Sequence, residues 1–126
     1  MIIIGEKING SIPIVAEAIA KRDSEFIKAR AKLQAESGAT YIDCCASVPE
    51  AEEVETLKWM IDCIQEVTDL PISIDSPSPD VLAQAYKFVR NLEFLILYQE
   101  RDIKIDTIFP IMAKREMRMA GNCAAE

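Results

Sequence analysis

The chain has 126 residues, half of them hydrophobic and 28% charged, a balance suited to one folded domain rather than to disorder. Fourteen Lys and Arg against 21 Asp and Glu leave a net charge of −7, which argues against a nucleic-acid partner, since neutralising phosphates takes clustered cations. Histidine is absent, so Ser-His-Asp and Cys-His catalysis and the commonest zinc sites are excluded within this chain.

Met1–Ile4 is a short apolar run, read as a first strand. It is too short for a membrane span and lacks the basic region of a signal peptide, so the expected location is the cytoplasm and no membrane partner is expected. Gly5-Glu6-Lys7-Ile8-Asn9-Gly10 follows as a loop, and Pro13 suits the first turn of a helix running to about Lys21. Asp23 or Ser24 caps a second helix carrying Phe26, Ile27 and Leu33, which Gly38 ends. Thr40–Asp43 is a second strand.

Pro49–Thr68 carries the strongest helical period: Val54, Leu57, Ile61, Ile64 and Val67 recur at three- and four-residue steps, with Glu52, Glu53, Glu55, Lys58 and Asp62 off that stripe. Trp59, Met60 and Cys63 read as core packing. Pro71–Ile74 is a third strand, Ser78-Pro79 an N-cap followed by proline at the first helical position, and a helix runs from Pro79 to about Val89. The strands are short and apolar throughout, as in a parallel sheet covered on both faces. Steps of 38 residues from Ile2 to Thr40 and 32 from Thr40 to Ile72 suit repeated β/α units. Cys44, Cys45, Cys63 and Cys123 form no C-x-x-C pair, so reduced thiols and no metal site are expected.

Polar residues stand at all three strand ends: Glu6 and Asn9 after the first, Asp43 at the second, Asp75 at the third. One such aspartate is commonly a helix cap or a turn residue. Three ends together favour a ligand site, because parallel α/β folds bind ligands beyond the carboxyl ends of their strands. Carboxylates and an amide above an apolar floor suit a flat heterocycle with amino and N–H donors, since a carboxylate accepts two parallel hydrogen bonds from such an edge. Pterins and guanines both present one, and the pattern alone leaves that choice open.

The segments "IIIGEKING", "YIDCCAS", "VETLKWMIDCIQEV" and "PISIDSPSP" together resemble the methyltetrahydrofolate:corrinoid methyltransferases, over residues 1 to about 89. These are pterin-binding (β/α)8 barrels related to dihydropteroate synthase. The resemblance implies that Asp75 binds the pterin edge, that Glu6 and Asn9 lie close to the pterin, and that Asp43 stands on the same rim. It implies transfer of the N5 methyl group of methyltetrahydrofolate to the cobalt of a corrinoid, or cobalamin, carried by a partner protein. The alternatives are a short pterin- or corrinoid-protein-binding chain without catalysis, and a dihydropteroate synthase-like enzyme.

The expected fold is therefore α/β, a partial (β/α)8 barrel of the first three to four units. A whole barrel takes about 250 residues. Residues 1–126 read as one shortened domain in which 1–89 is family-like and 90–126 diverges; its open edges would favour self-association. The asparagine that the family's fourth strand supplies is missing. Residues 90–100, "RNLEFLILYQE", can be back-translated so that a frame two bases later reads K-P-G-I-F-N-S-V-S-G, a family-like segment. That suggests a shifted reading frame, which the nucleotide sequence would test at Leu95–Leu97; these three residues are also read as a strand.

Overall fold

The computed structural model describes residues 3–92. Its elements are β1 (Ile4–Gly5), α1 (Pro13–Lys21), α2 (Ser24–Glu36), β2 (Tyr41–Cys45), α3 (Glu50–Val67), β3 (Ile72–Asp75) and α4 (Pro79–Ala85), with a 3₁₀ turn over Tyr86–Phe88. The three strands form one parallel sheet in the order β1-β2-β3, and a helical segment follows each strand. The α/β class and the alternation of strand and helix agree with the sequence.

Several boundaries differ. Among the described residues the first strand is Ile4–Gly5, which pairs with Tyr41 and Ile42 and so runs one residue past the expected end; Met1 and Ile2 lie outside the described residues. The second strand passes Asp43 and ends at Cys45, since β3 continues to pair as far as Cys45↔Asp75. Asp43 is thus inside its strand, not at its end. The last helix stops at Ala85 and tightens into a 3₁₀ turn instead of continuing to Val89. The strand expected at Leu95–Leu97 and the whole of 93–126 lie outside the described residues.

Local chemistry sets the helix ends. Asp23 is the N-cap of α2, its carboxylate accepting from the Phe26 N–H at 3.2 Å. Ser78 caps α4 by accepting from the Val81 N–H at 3.4 Å, with Pro79 behind it. Gly38, at φ 99°, takes the left-handed turn that closes α2.

The helices bury one face of the sheet. Ile42, Cys44, Ile72 and Ile74 meet Leu57, Met60, Ile61 and Ile64 of α3 and Val81, Leu82 and Ala85 of α4 in one core. Val15 and Ile19 of α1 and Ile27 and Ala31 of α2 extend it. Met60 and Cys63 are buried and Trp59 packs against the core beneath Arg22, 5.1 Å from guanidinium to ring centroid. No described helix is long and apolar enough to cross a membrane.

Candidate functional site

Side chains alternate along a strand, so residues paired across a parallel sheet share a face. Gly5, Ile42, Cys44, Ile72 and Ile74 turn to the helices. Ile4, Tyr41, Asp43, Cys45, Ser73 and Asp75 turn to the other face. Ile4 and Tyr41 form the apolar end of that face, and the polar residues lie toward the carboxyl ends of the strands.

The first loop is clamped onto this rim. The Lys7 N–H donates to Gln34 Oε1 at 2.9 Å, and Arg30 donates to the Lys7 carbonyl at 3.0 Å. Ile8 is fully buried, and its carbonyl accepts from the Cys45 N–H at 3.1 Å. Gly10 then donates back to the Cys45 carbonyl at 2.8 Å, so the loop resumes pairing with β2 around Asn9. A Cβ on Gly10 would collide with the Ala46 carbonyl, which explains glycine there. Asn9 Oδ1 accepts from both N–H and Oγ of Ser11, each at 2.8 Å, which fixes the amide; among the described residues its Nδ2 has no partner.

The four residues singled out in the sequence are thereby gathered. Asp43 is half-buried and bonds the Ser73 hydroxyl. Burial pushes its carboxyl above the usual carboxylate range, and the like charges of Asp75 and Glu6 push it the same way, against the Ser73 bond. Glu6 and Asp75 are exposed at the rim, and Asn9 lies against Cys45, the residue paired with Asp75.

Three participants were not singled out beforehand. Ser73 betrays itself as the one hydroxyl inside an apolar strand. Cys45 faces the rim, while its neighbour Cys44 is sealed on the helix side. Burial raises the thiols of both, and Asp75 and Glu53 add to the effect at Cys45. Glu53, placed off the α3 stripe by its spacing, is only 4% exposed. Its signal was its position four residues before Leu57, on the buried side.

The β3–α4 loop that carries Asp75 is braced on both sides. The Ser78 N–H donates to Ser76 Oγ at 3.1 Å, and Ser78 Oγ donates to Glu50 at the start of α3 at 3.0 Å. Beyond β3, the Ile74 N–H, which points away from β2, donates to the buried Tyr86 hydroxyl at 2.8 Å. A separate cavity of about 370 Å³ lies between α1, the Ala46–Val48 loop and α3, lined by Arg22, Glu52 and Thr56 among others; none of Glu6, Asp43 or Asp75 lines it. No group of three or more His, Cys, Asp or Glu among the described residues is placed to hold a metal ion.

Comparison with known proteins agrees with the resemblance carried by the motifs. No family model matches the chain. A methylcorrinoid:tetrahydrofolate methyltransferase of Eubacterium limosum is 44% identical over 111 residues, which is 88% of this chain and 41% of that protein. The chain belongs to the methyltetrahydrofolate:corrinoid methyltransferase family over that stretch, and it spans about two-fifths of the relative's length.

Proposed function

We propose that this chain supplies the opening β/α units of a (β/α)8 pterin-binding barrel, with Asp75, Asp43, Glu6 and Asn9 holding the pterin ring of methyltetrahydrofolate. The reaction served is methyl exchange between that N5 and the cobalt of a corrinoid on a partner protein. The carrying observation is the convergence of three acids and a fixed amide on one rim, above the apolar Ile4 and Tyr41. Asp75, exposed and at the end of its strand, is the acceptor for the amino and N–H donors of the ring.

Methyl leaves N5 only if the nitrogen gains positive character, through a proton or a hydrogen bond. Asp43 fits the supporting role, because burial and its acidic neighbours make it hold a proton more readily than an ordinary aspartate. The Eubacterium protein's name writes the methylcorrinoid as donor, whereas the motif resemblance implied methyltetrahydrofolate as donor. One site serves both directions, since both pass through the same transition state. The same name favours methyl transfer over a dihydropteroate synthase-like activity. Closing a barrel requires further β/α units, and a second copy of this chain, docked at the sheet edges, is the arrangement the solution mass tests.

Calorimetric titration with methyltetrahydrofolate tests the site, and methyl transfer with cobalamin tests the chemistry. Asp75→Asn should weaken binding by about tenfold or more, the worth of a charged hydrogen bond. Unchanged affinity would remove Asp75 from the site. Binding without transfer would point to the non-catalytic reading.

A further inference from the structure

We infer that Glu53 is a further ligand-binding carboxylate of the same rim, held out of water and without a partner until N–H donors of the bound substrate reach it. This rests on the reading of the rim as a methyltetrahydrofolate site and adds to it a residue from a helix rather than from a strand end or the first loop.

Glu53 lies in the first turn of α3, on the stripe that continues through Leu57, Met60, Ile61 and Ile64 onto the sheet. The helix begins just past the carboxyl end of β2, so a sheet-facing residue in its first turn stands level with the strand ends. The charges of Asp75 and Glu53 act together on the Cys45 thiol, which places both acids within electrostatic reach of that strand end.

A carboxylate that is 4% exposed is ordinarily paired, because taking it out of water without a partner is costly. Among the described residues no hydrogen bond or ion pair reaches it. The nearby cations are engaged elsewhere: Arg22 donates to the Ile19 carbonyl and Thr56 Oγ1 and stacks over Trp59, and Lys58 pairs with Asp62 at 2.8 Å. No completely sealed side-chain oxygen or nitrogen lacks a partner, so the little exposure Glu53 retains is at its carboxylate. The positive end of α3 offsets part of the desolvation but supplies no directed bond. An acceptor kept in this state costs the free protein stability and is available to a ligand rich in N–H donors.

Thermal unfolding and calorimetric titration with methyltetrahydrofolate, on the full chain, separate the outcomes. Glu53→Gln and Glu53→Met should keep or raise the melting temperature and weaken binding, severalfold for Gln and tenfold or more for Met. Unchanged affinity in both overturns the inference, and so does a fall in melting temperature in both, which would mark the acid as a stabilising helix-end charge. Asp75→Asn is the control. If it alone weakens binding, only the role of Glu53 fails; if the unaltered chain does not bind, the reading of the whole rim fails with it.

Discussion

The two faces of the three-stranded sheet are made by the same strands and obey opposite rules. On the helix side Ile42, Cys44, Ile72 and Ile74 are at most 5% exposed and pack into the hydrophobic core. On the other side the residues between them, Asp43, Cys45, Ser73 and Asp75, set like charges, a thiol and a hydroxyl beside one another. A period of two therefore divides each strand into a half that stabilises and a half that, on the proposed reading, faces the ligand. Stability has to come from the first half, because the second carries desolvation and repulsion.

The largest effect should come from the sealed face. Ile42→Ala opens a cavity at the centre of the sheet and should cost about 2–5 kcal/mol in urea denaturation. A loss much below that range would mean that the described core is not what holds the strands. The edge of β3 away from β2 comes next. Tyr86→Phe leaves the Ile74 N–H without its acceptor, a cost of about 1–3 kcal/mol, and hydrogen exchange at the Ile74 amide should speed up in step. If stability is unchanged, another group is satisfying that N–H. Glu50→Ala should cost only about 0.5–1 kcal/mol, since the bond to Ser78 is exposed, but should weaken binding at Asp75 if the brace aims that loop.

The contrast between the faces explains what could be read from the sequence. Helix periods and caps are local, so α3, a cap at Asp23 or Ser24, the Ser78 cap and the Gly38 stop were all visible there. Strand ends are set by partners: Cys44 and Cys45 continue β2 because β3 lies alongside, which no local propensity reveals, and so Asp43 lies two residues inside the end it was expected to mark. Asp75 was legible as a strand end because an acid that closes an apolar run is conspicuous. Ser73 and Glu53 gave only weak signals, because the meaning of a serine in a strand or of one glutamate among several depends on the register and the helix rotation. The clamp of Gln34 and Arg30 on Lys7 joins residues 27 and 23 apart, a separation beyond any local pattern.

Asp43→Asn gives the smallest effect and the sharpest, because its sign is reversed from that of a core change. The folded-state carboxyl of Asp43 titrates above its ordinary value of 3.8, so the folded chain holds that proton more tightly than the unfolded chain. Below the ordinary value the group is protonated in both states and costs nothing. As pH rises from there through the raised folded value, the folded state is progressively disfavoured, and the cost is complete above it. Asparagine removes the charge while its carbonyl can still accept from Ser73. The variant should therefore be more stable than the parent at neutral pH, with the gap closing as the solution is acidified toward pH 3.8. Urea midpoints across that range would show the two curves converging. Parallel curves, or a variant less stable at neutral pH, would mean that the polar face carries no such strain, and would remove the physical basis for a proton held by Asp43.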